Sequence, residues 1–297
     1  MTSRAHVPAA TPAATPAATP AATPAAPPAA LAPGPGPWLI ALRAIVAREA
    51  LRFVHQRERF VAALVRPLVW LVVFAAGFRS ALGLSIIPPY ETYIAYEVYI
   101  VPGLCGMIQL FNGMQSSLSL VYDREMGSMR LLLTSPLPRP WLLMCKLAAG
   151  CAISILQVYA FLAIAAAFGI VMPWQGYVAV LPALVVSGLM LGALGLALSS
   201  FIRQLENFAG VMNFVIFPMF FLSTALYPLW KMAESSTLLR DICAVNPFTQ
   251  GVELIRFALH ARLEPAALGW TLLAFAVFAG LAIRGYDPAR GLAQRKA

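Results

Sequence analysis

Charged residues are scarce in this 297-residue sequence, in which aspartate, glutamate, lysine and arginine together make up 11%. Soluble domains contain about a quarter charged residues. Here 60% of the residues are hydrophobic, and the mean hydropathy is +0.77. Several apolar runs reach the roughly 20 residues that a helix needs to cross about 30 Å of hydrocarbon. The composition therefore excludes a soluble protein and indicates an integral membrane protein. Because the runs are continuous and not alternating, they predict helices.

The sequence also lacks the motifs that commonly mark catalysis, nucleotide binding or metal binding. It has no GxxxxGK[ST] loop, no HExxH pair and no CxxC pair among its four cysteines. We therefore predict no catalytic residue and no metal site on this chain. Carboxylates are missing from the apolar runs, which disfavours an ion-coupled secondary transporter. A membrane-embedded lipid or glycan transferase is disfavoured because histidines and carboxylates do not cluster at the predicted interfaces. Both classes remain as alternatives.

The apolar runs predict an all-α membrane protein with six spans. A basic helix at residues 38–59 precedes them and is predicted to lie on the membrane surface. Residues 1–37 contain four Thr-Pro-Ala-Ala copies and are predicted to be a disordered, uncleaved tail. In the fourth span, Gly188 and Gly192 form a GxxxG pair that favours contact with another helix of the same subunit. The spans are predicted at residues 60–78, 99–121, 142–171, 177–201, 210–229 and 266–283.

The distribution of basic residues predicts the orientation. An even number of spans places both termini on one side, and that side holds most of the 21 lysines and arginines. The positive-inside rule therefore predicts cytoplasmic termini. The asymmetry also explains the net charge of +9 without nucleic-acid binding. The basic residues on the predicted outer side are Arg79, Lys231, Arg240, Arg256 and Arg262.

A charged segment, YDREMGSMRLLLTSPLPRPW at residues 122–141, separates the second and third runs. Met126, Met129 and Leu133 share one face if the segment is helical, and the prolines after them end such a helix. The segment is either a short amphipathic helix that transmits force from a soluble partner or a solvated linker. The residues alone leave both readings open.

Two further patterns are candidates for a substrate pathway. Gln109, Asn112, Ser116 and Ser119 recur every three or four residues along the second run, so they share one helix face. They either line a pathway or form hydrogen bonds between helices. Phe214, Phe217 and Phe221 follow one face of the fifth run. They either contact an amphiphilic substrate or face lipid and neighbouring helices.

Four sequence stretches together resemble the permease subunits of bacterial ABC-2 type exporters, in the branch that includes nodulation-factor and antibiotic exporters. The stretches are RPLVWLVVFAAGF, YIVPGL, YDREMGSMRLLLTSPLPR and NPFTQGVELIR. The resemblance implies the ABC-2 (type V exporter) fold over residues 38–297, with six spans per subunit. It also implies a homodimer or pseudo-dimer with two ATP-binding subunits, which would carry the ATP and magnesium. The implied location is the bacterial inner membrane, and the implied cargo is an amphiphilic or small organic molecule.

The resemblance also assigns roles to two sets of residues. The coupling helix, which contacts the ATP-binding subunit in this family, matches Asp123, Arg124, Glu125, Met126, Gly127, Met129, Arg130 and Leu133. A segment that dips into the outer leaflet matches Asn246, Pro247, Glu253 and Arg256. The Asn-Pro pair suits this segment because it can end one helix and start the next.

Overall fold

The computed structural model describes residues 35–55, 57–78, 88–90, 94–125, 138–202 and 204–285. These ranges fold into ten helices, which confirms the all-α prediction. The predicted tail lies outside the described residues up to residue 34. Pro35 and Pro37 instead begin the first helix, where proline is tolerated because the first N–H groups have no partner within the helix. The helices are α1 Pro35–His55, α2 Arg57–Phe78, α3 Tyr96–Glu125, α4 Arg139–Ala167, α5 Trp174–Phe201, α6 Leu205–Phe221, α7 Leu229–Ser235, α8 Thr237–Val245, α9 Pro247–Ala258 and α10 Pro265–Gly285.

Within the described ranges, three helices are long and apolar enough to cross a membrane: α4 over Pro140–Ala167, α5, and α10. Two more are apolar over shorter lengths, α2 at Phe60–Phe74 and α6 at Leu205–Phe221. Helix α3 has 30 residues, about 45 Å at 1.5 Å per residue, but its polar side chains lower its hydropathy. The described chain therefore contains three clear apolar spans and three helices of intermediate character.

Several helix ends differ from the sequence predictions by three residues or more. The surface helix ends at His55, and Arg57 already belongs to α2. The third predicted span stops at Ala167, because the chain reverses at Gly169, which adopts a φ of +86°. The fifth predicted span ends at Phe221 and does not reach residue 229. Residues 222–227 form turns in place of a further helical turn.

Glycines bring α5 close to α3 and α4. A Cβ atom on Gly188 of α5 would lie 2.8 Å from the Cys151 sulfur of α4. A Cβ on Gly113 of α3 would lie 2.9 Å from the backbone nitrogen of Gly192. Only glycine permits such an approach between helix backbones. The predicted GxxxG contact within one subunit is therefore confirmed, and α5 forms the centre of the packed helices.

The basic helix α1 packs on the start of α4. The rings of Trp38 and Trp141 meet edge to face, with centroids 5.1 Å apart. Leu39, Ile40 and Leu51 on α1 are exposed apolar residues, as expected of a helix whose outer face contacts the membrane surface.

Candidate coupling, pathway and outer regions

The coupling residues divide between the end of α3 and the segment that follows. Asp123, Arg124 and Glu125 form the last turn of α3, although their side chains are outside the described part. Met126, Gly127, Met129, Arg130 and Leu133 all lie outside the described residues. The helix therefore continues into the charged segment as far as Glu125, and the contact with an ATP-binding subunit stays a prediction.

The opposite end of α3 is anchored by two tyrosines. The Tyr96 hydroxyl donates to the carbonyl of Leu226 at 2.9 Å, and the Tyr99 hydroxyl donates to the carbonyl of Thr224 at 3.0 Å. Both rings are almost completely buried. These bonds fix α3 to the turns after α6, so a displacement of one would be transmitted to the other.

Gln109 of the predicted polar face connects α3 to α5. Its side-chain nitrogen donates to the carbonyl of Leu184 at 2.7 Å, and its side-chain oxygen accepts from the Ser187 hydroxyl at 2.6 Å. The side chain is 1% exposed. Gln109 therefore acts as an interhelical hydrogen-bonding residue in this structure, which is one of the two readings that the sequence left open.

The rest of the polar face lies against α4. Asn112 donates to the side-chain oxygen of Gln157. Ser116 is half-buried beside Gly150, where a Cβ would lie 3.0 Å from the serine oxygen. The side chain of Ser119 is outside the described part. Asn112 thus also has an interhelical partner, and a direct role for this face in transport stays a prediction.

A small cavity lies where α3, α4 and α5 meet, with both polar and apolar residues in its wall. Gln109, Ser116, Ser154 and Lys146 contribute to its wall, and its volume is about 10 Å³. That volume is close to the minimum for one water molecule, so the cavity is too small for an organic substrate. Lys146 is 7% exposed, although sequence reasoning placed it only among the cytoplasmic basic residues.

The phenylalanines of α6 remain accessible. Phe214 is 78% exposed, Phe217 48% and Phe221 40%. The Phe217 and Phe221 rings stack with centroids 6.3 Å apart, and Trp70 of α2 approaches Phe221 to 5.8 Å. We call Trp70, Phe217 and Phe221 the aromatic face. Sequence reasoning missed Trp70, because its proximity to α6 depends on the packing of two helices about 150 residues apart in sequence.

Asn246 and Pro247 end α8 and begin α9, as predicted. The Asn246 side-chain oxygen accepts from the Phe248 N–H at 2.9 Å and thereby caps α9. Its side-chain nitrogen donates to the carbonyls of Met219 and Leu222 at 2.8 and 2.6 Å. Those carbonyls lie at the end of α6, where helical partners run out. One side chain therefore satisfies two helix ends.

Buried Arg256 and partly buried Glu253, whose side chain is 22% exposed, form an ion pair one turn apart on α9. The Arg256 guanidinium also donates to the carbonyl of Thr224 at 2.7 Å and lies over the Tyr99 ring, 4.2 Å from its centroid. With 12 residues, about 18 Å in length, α9 is too short to cross a membrane. Its charged pair serves to hold the helix within the protein. The sequence contained no signal for the Thr224 contact, because it joins residues far apart in the chain.

Metal ligands do not assemble in the part of the chain that the structure describes. Over these residues, no group of three or more histidine, cysteine, aspartate or glutamate side chains could hold a metal ion. The four cysteines are buried and carry free thiols. The hydrogen bonds described above indicate that the buried polar residues hold neighbouring helices together.

The family of ABC-2 type transporters matches residues 40–260. A relative in Porphyra purpurea, which carries the name transport permease ycf38, is 28% identical over 219 residues that cover 73% of this chain and 72% of the relative. A protein of the same name in Cyanophora paradoxa is 27% identical over 227 residues, with 73% of each chain covered. From the family match over most of the chain, we conclude that this protein belongs to the ABC-2 type transporter family as a membrane permease subunit.

Proposed function

We propose that this permease forms the membrane part of an ATP-driven exporter in the bacterial inner membrane, for an amphiphilic or small organic substrate. Two copies, or this chain and a related one, would assemble with two ATP-binding subunits that carry the ATP and magnesium. Family membership supports the proposal, because a permease without a nucleotide-binding motif needs an energy source on another chain. The two other classes, an ion-coupled transporter and a lipid or glycan transferase, have no supporting feature among the described residues.

In this proposal the six spans correspond to α2, α3, α4, α5, α6 and α10. Helices α3 and α6, which are less apolar or shorter than the three clear spans, can still cross the membrane because of how they pack. Helix α3 turns much of its polar surface towards α4 and α5, where hydrogen bonds replace contact with lipid. Helix α6 is shorter, but the turns at residues 222–227 bury Ser223, Thr224, Ala225 and Leu226 and so extend the packed layer. The basic-residue distribution supports cytoplasmic termini.

The continuity of α3 is the observation that carries the coupling mechanism. One α-helix, with Pro102 near its start, runs from the anchored Tyr96 and Tyr99 to the charged turn at Glu125. It also contacts α4 and α5 through Asn112 and Gln109. A force on the charged end of α3 would therefore move the whole helix, and its hydrogen bonds would transmit the movement to α4 and α5.

We propose that Glu125 pairs with a basic group of the ATP-binding subunit, and a charge reversal tests this. Glu125→Lys should place two like charges in the interface and should reduce recruitment of the ATP-binding subunit more than tenfold, since such changes cost about 2–5 kcal/mol. The matched control is Glu264→Lys, at the start of α10 on the proposed outer side. Co-purification of the ATP-binding subunit and ATP hydrolysis by the complex are the measurements.

Glu264→Lys should leave both quantities near the wild-type level. If Glu125→Lys also leaves them unchanged, residues 122–133 form only a linker and the coupling mechanism is wrong. If Glu264→Lys alone abolishes recruitment, the proposed orientation of the chain is reversed. Both variants must elute at the wild-type position in gel filtration before the comparison is made.

A further inference from the structure

Arg66 is the single charged residue in the apolar part of α2, Phe60–Phe74. Its side chain is exposed on the surface of the subunit, and Val65 and Val69 beside it are exposed too. An arginine in the hydrocarbon region costs at least about 2.5–3.5 kcal/mol, so such residues face a cavity, a pathway or a partner group. An exposed arginine within a predicted span therefore requires an explanation beyond the positive-inside rule.

The depth of the guanidinium argues against escape to the membrane surface. Arginine near a span end usually extends its charge back to the head groups. Here the guanidinium carbon lies 3.8 Å from the centroid of the Phe111 ring on α3. Phe111 is ten residues before Val121, the predicted cytoplasmic end of the second span, which is about 15 Å along a helix. Counted along α2, Arg66 is six residues, or about 9 Å, from the predicted span end at Phe60. The charge therefore lies inside a hydrocarbon layer about 30 Å thick, between its cytoplasmic edge and its middle.

The hydrogen-bonding edge of this guanidinium is suited to an anion. The contact of the guanidinium carbon with the Phe111 ring does not use the in-plane N–H donors of the group. Among the residues with described side chains, ion pairs form at Arg48, Lys231, Arg240 and Arg256, and no carboxylate pairs with Arg66. The planar fork matches the two oxygens of a phosphate or carboxylate group.

An apolar surface adjoins this cation. Trp70 follows Arg66 by four residues on α2, so the two side chains lie on neighbouring turns of one side of the helix. The Trp70 ring contacts Phe221 at 5.8 Å, and Phe221 stacks on Phe217. The aromatic face is thus next to the guanidinium and partly exposed. A cation beside an accessible aromatic surface is complementary to a molecule with an anionic head group and an apolar body.

We propose that Arg66 and the aromatic face form a binding site for an anionic amphiphile that the transporter carries. The phosphate or carboxylate head group binds the guanidinium, and the apolar part contacts Trp70, Phe217 and Phe221. The proposal rests on the proposed export function and adds the charge of the substrate to it. It also assigns a binding role to a residue that the basic-residue count treated only as a marker of orientation.

Binding of two probes with the same alkyl chain tests the site. Dodecyl phosphate carries an anionic phosphate monoester, and dodecyl phosphocholine carries a phosphate diester whose single negative charge is balanced by the choline cation. Native mass spectrometry of the full-length permease in maltoside micelles counts each bound molecule. The wild-type protein should bind dodecyl phosphate about tenfold more tightly than dodecyl phosphocholine, because the unbalanced anion accepts charge-assisted hydrogen bonds from the guanidinium. Arg66→Gln should remove this preference and leave dodecyl phosphocholine binding unchanged.

Three further variants make the result specific. Arg48→Gln removes an exposed arginine of α1 and should leave the preference intact. Arg66→Lys keeps the charge without the fork and should retain part of the preference. Phe217→Ala should weaken the binding of both probes by a similar factor, since it removes apolar contact only.

The anion site is refuted if Arg66→Gln keeps the wild-type preference, and the role of the aromatic face is refuted if Phe217→Ala changes neither affinity. If Arg66→Gln does not elute as folded protein, an unchanged preference in Arg66→Lys is the refuting result.

Competition identifies the occupant. Phosphatidylglycerol presents a phosphate with two acyl chains, as a lipid of the bilayer would. We expect an excess of it to leave bound dodecyl phosphate in place. Displacement would overturn the assignment to a transported molecule and give the site to membrane lipid. The assay contains no ATP-binding subunit, so its failure leaves the coupling mechanism untouched, and failure of Glu125→Lys to affect recruitment would leave the binding result untouched.

Discussion

The guanidinium of Arg256 and the backbone carbonyl of Thr224 are joined by a hydrogen bond of 2.7 Å between α9 and the turn after α6. The same carbonyl accepts the Tyr99 hydroxyl of α3 at 3.0 Å. Glu253 pairs with the guanidinium from the next turn of α9. Three distant parts of the chain are thus connected through one carbonyl group, and Arg256 is 2% exposed there.

Loss of Arg256 should therefore destabilise the subunit strongly. Arg256→Met keeps an unbranched side chain but leaves Glu253 in a largely buried position without its cation, which typically costs about 3–5 kcal/mol. The matched control is Arg240→Met, which removes the exposed partner of Asp241 and should cost at most about 1 kcal/mol. Thermal unfolding in maltoside micelles measures both. Equal midpoints for the two variants would show that the buried pair contributes no more than a surface pair.

The sequence predicted those features that follow from local patterns. The apolar runs predicted the long helices, because a continuous apolar run indicates a buried or membrane helix whatever packs against it. The Asn246-Pro247 pair predicted a helix boundary, because both residue types act on the local backbone. The GxxxG pair likewise indicated close packing. The end of α6 at Phe221 was missed, since the apolar run continues to residue 229 and composition alone does not register the turns within it.

The contacts of the candidate site depended on tertiary structure and were less predictable. The exposed phenylalanines of α6 were recognised from spacing, but their neighbour Trp70 was not. Gln109 was recognised as part of a polar face, whereas its two partners on α5 depend on the register between two helices. Arg66 was recognisable from the sequence as a charged residue inside an apolar run. It was overlooked as a binding residue because it was counted only as evidence for the orientation.

Two glycine substitutions should change stability in opposite directions. Gly113→Ala places a methyl group 2.9 Å from the Gly192 nitrogen and the Leu191 oxygen, both backbone atoms that cannot move aside. It should destabilise the helix packing by about 1–3 kcal/mol. Gly269→Ala in α10 meets nothing within 4 Å and should be neutral or stabilising by up to about 1 kcal/mol, since alanine favours the helix. Thermal unfolding of the two variants side by side is the measurement, and a loss at Gly269 equal to that at Gly113 would contradict the proposed close contact.

His260 should make the stability of the region after α9 depend on pH. Its ring nitrogen Nδ1 lies 3.1 Å from the carbonyl of Arg256, and its ring meets Tyr90 edge to face at 4.8 Å. Burial lowers the pKa of His260, and the positive charges of Arg262 and Arg256 lower it further, while the carbonyl contact opposes them. Burial raises the pKa of Tyr90 to about 12, so that hydroxyl stays neutral across the range that matters.

Because the folded-state pKa of His260 is below its unfolded value of about 6.5, the unfolded chain binds the proton more readily. The contribution of neutral His260 is therefore fully present above about pH 6.5 and is lost as the pH falls towards the folded-state value. We expect the unfolding midpoint in maltoside micelles to fall between pH 7.5 and pH 5.5. His260→Gln keeps a hydrogen-bonding side chain without a titrating group, so its midpoint should fall less over the same interval. An identical decrease in both proteins would assign the pH dependence to other groups.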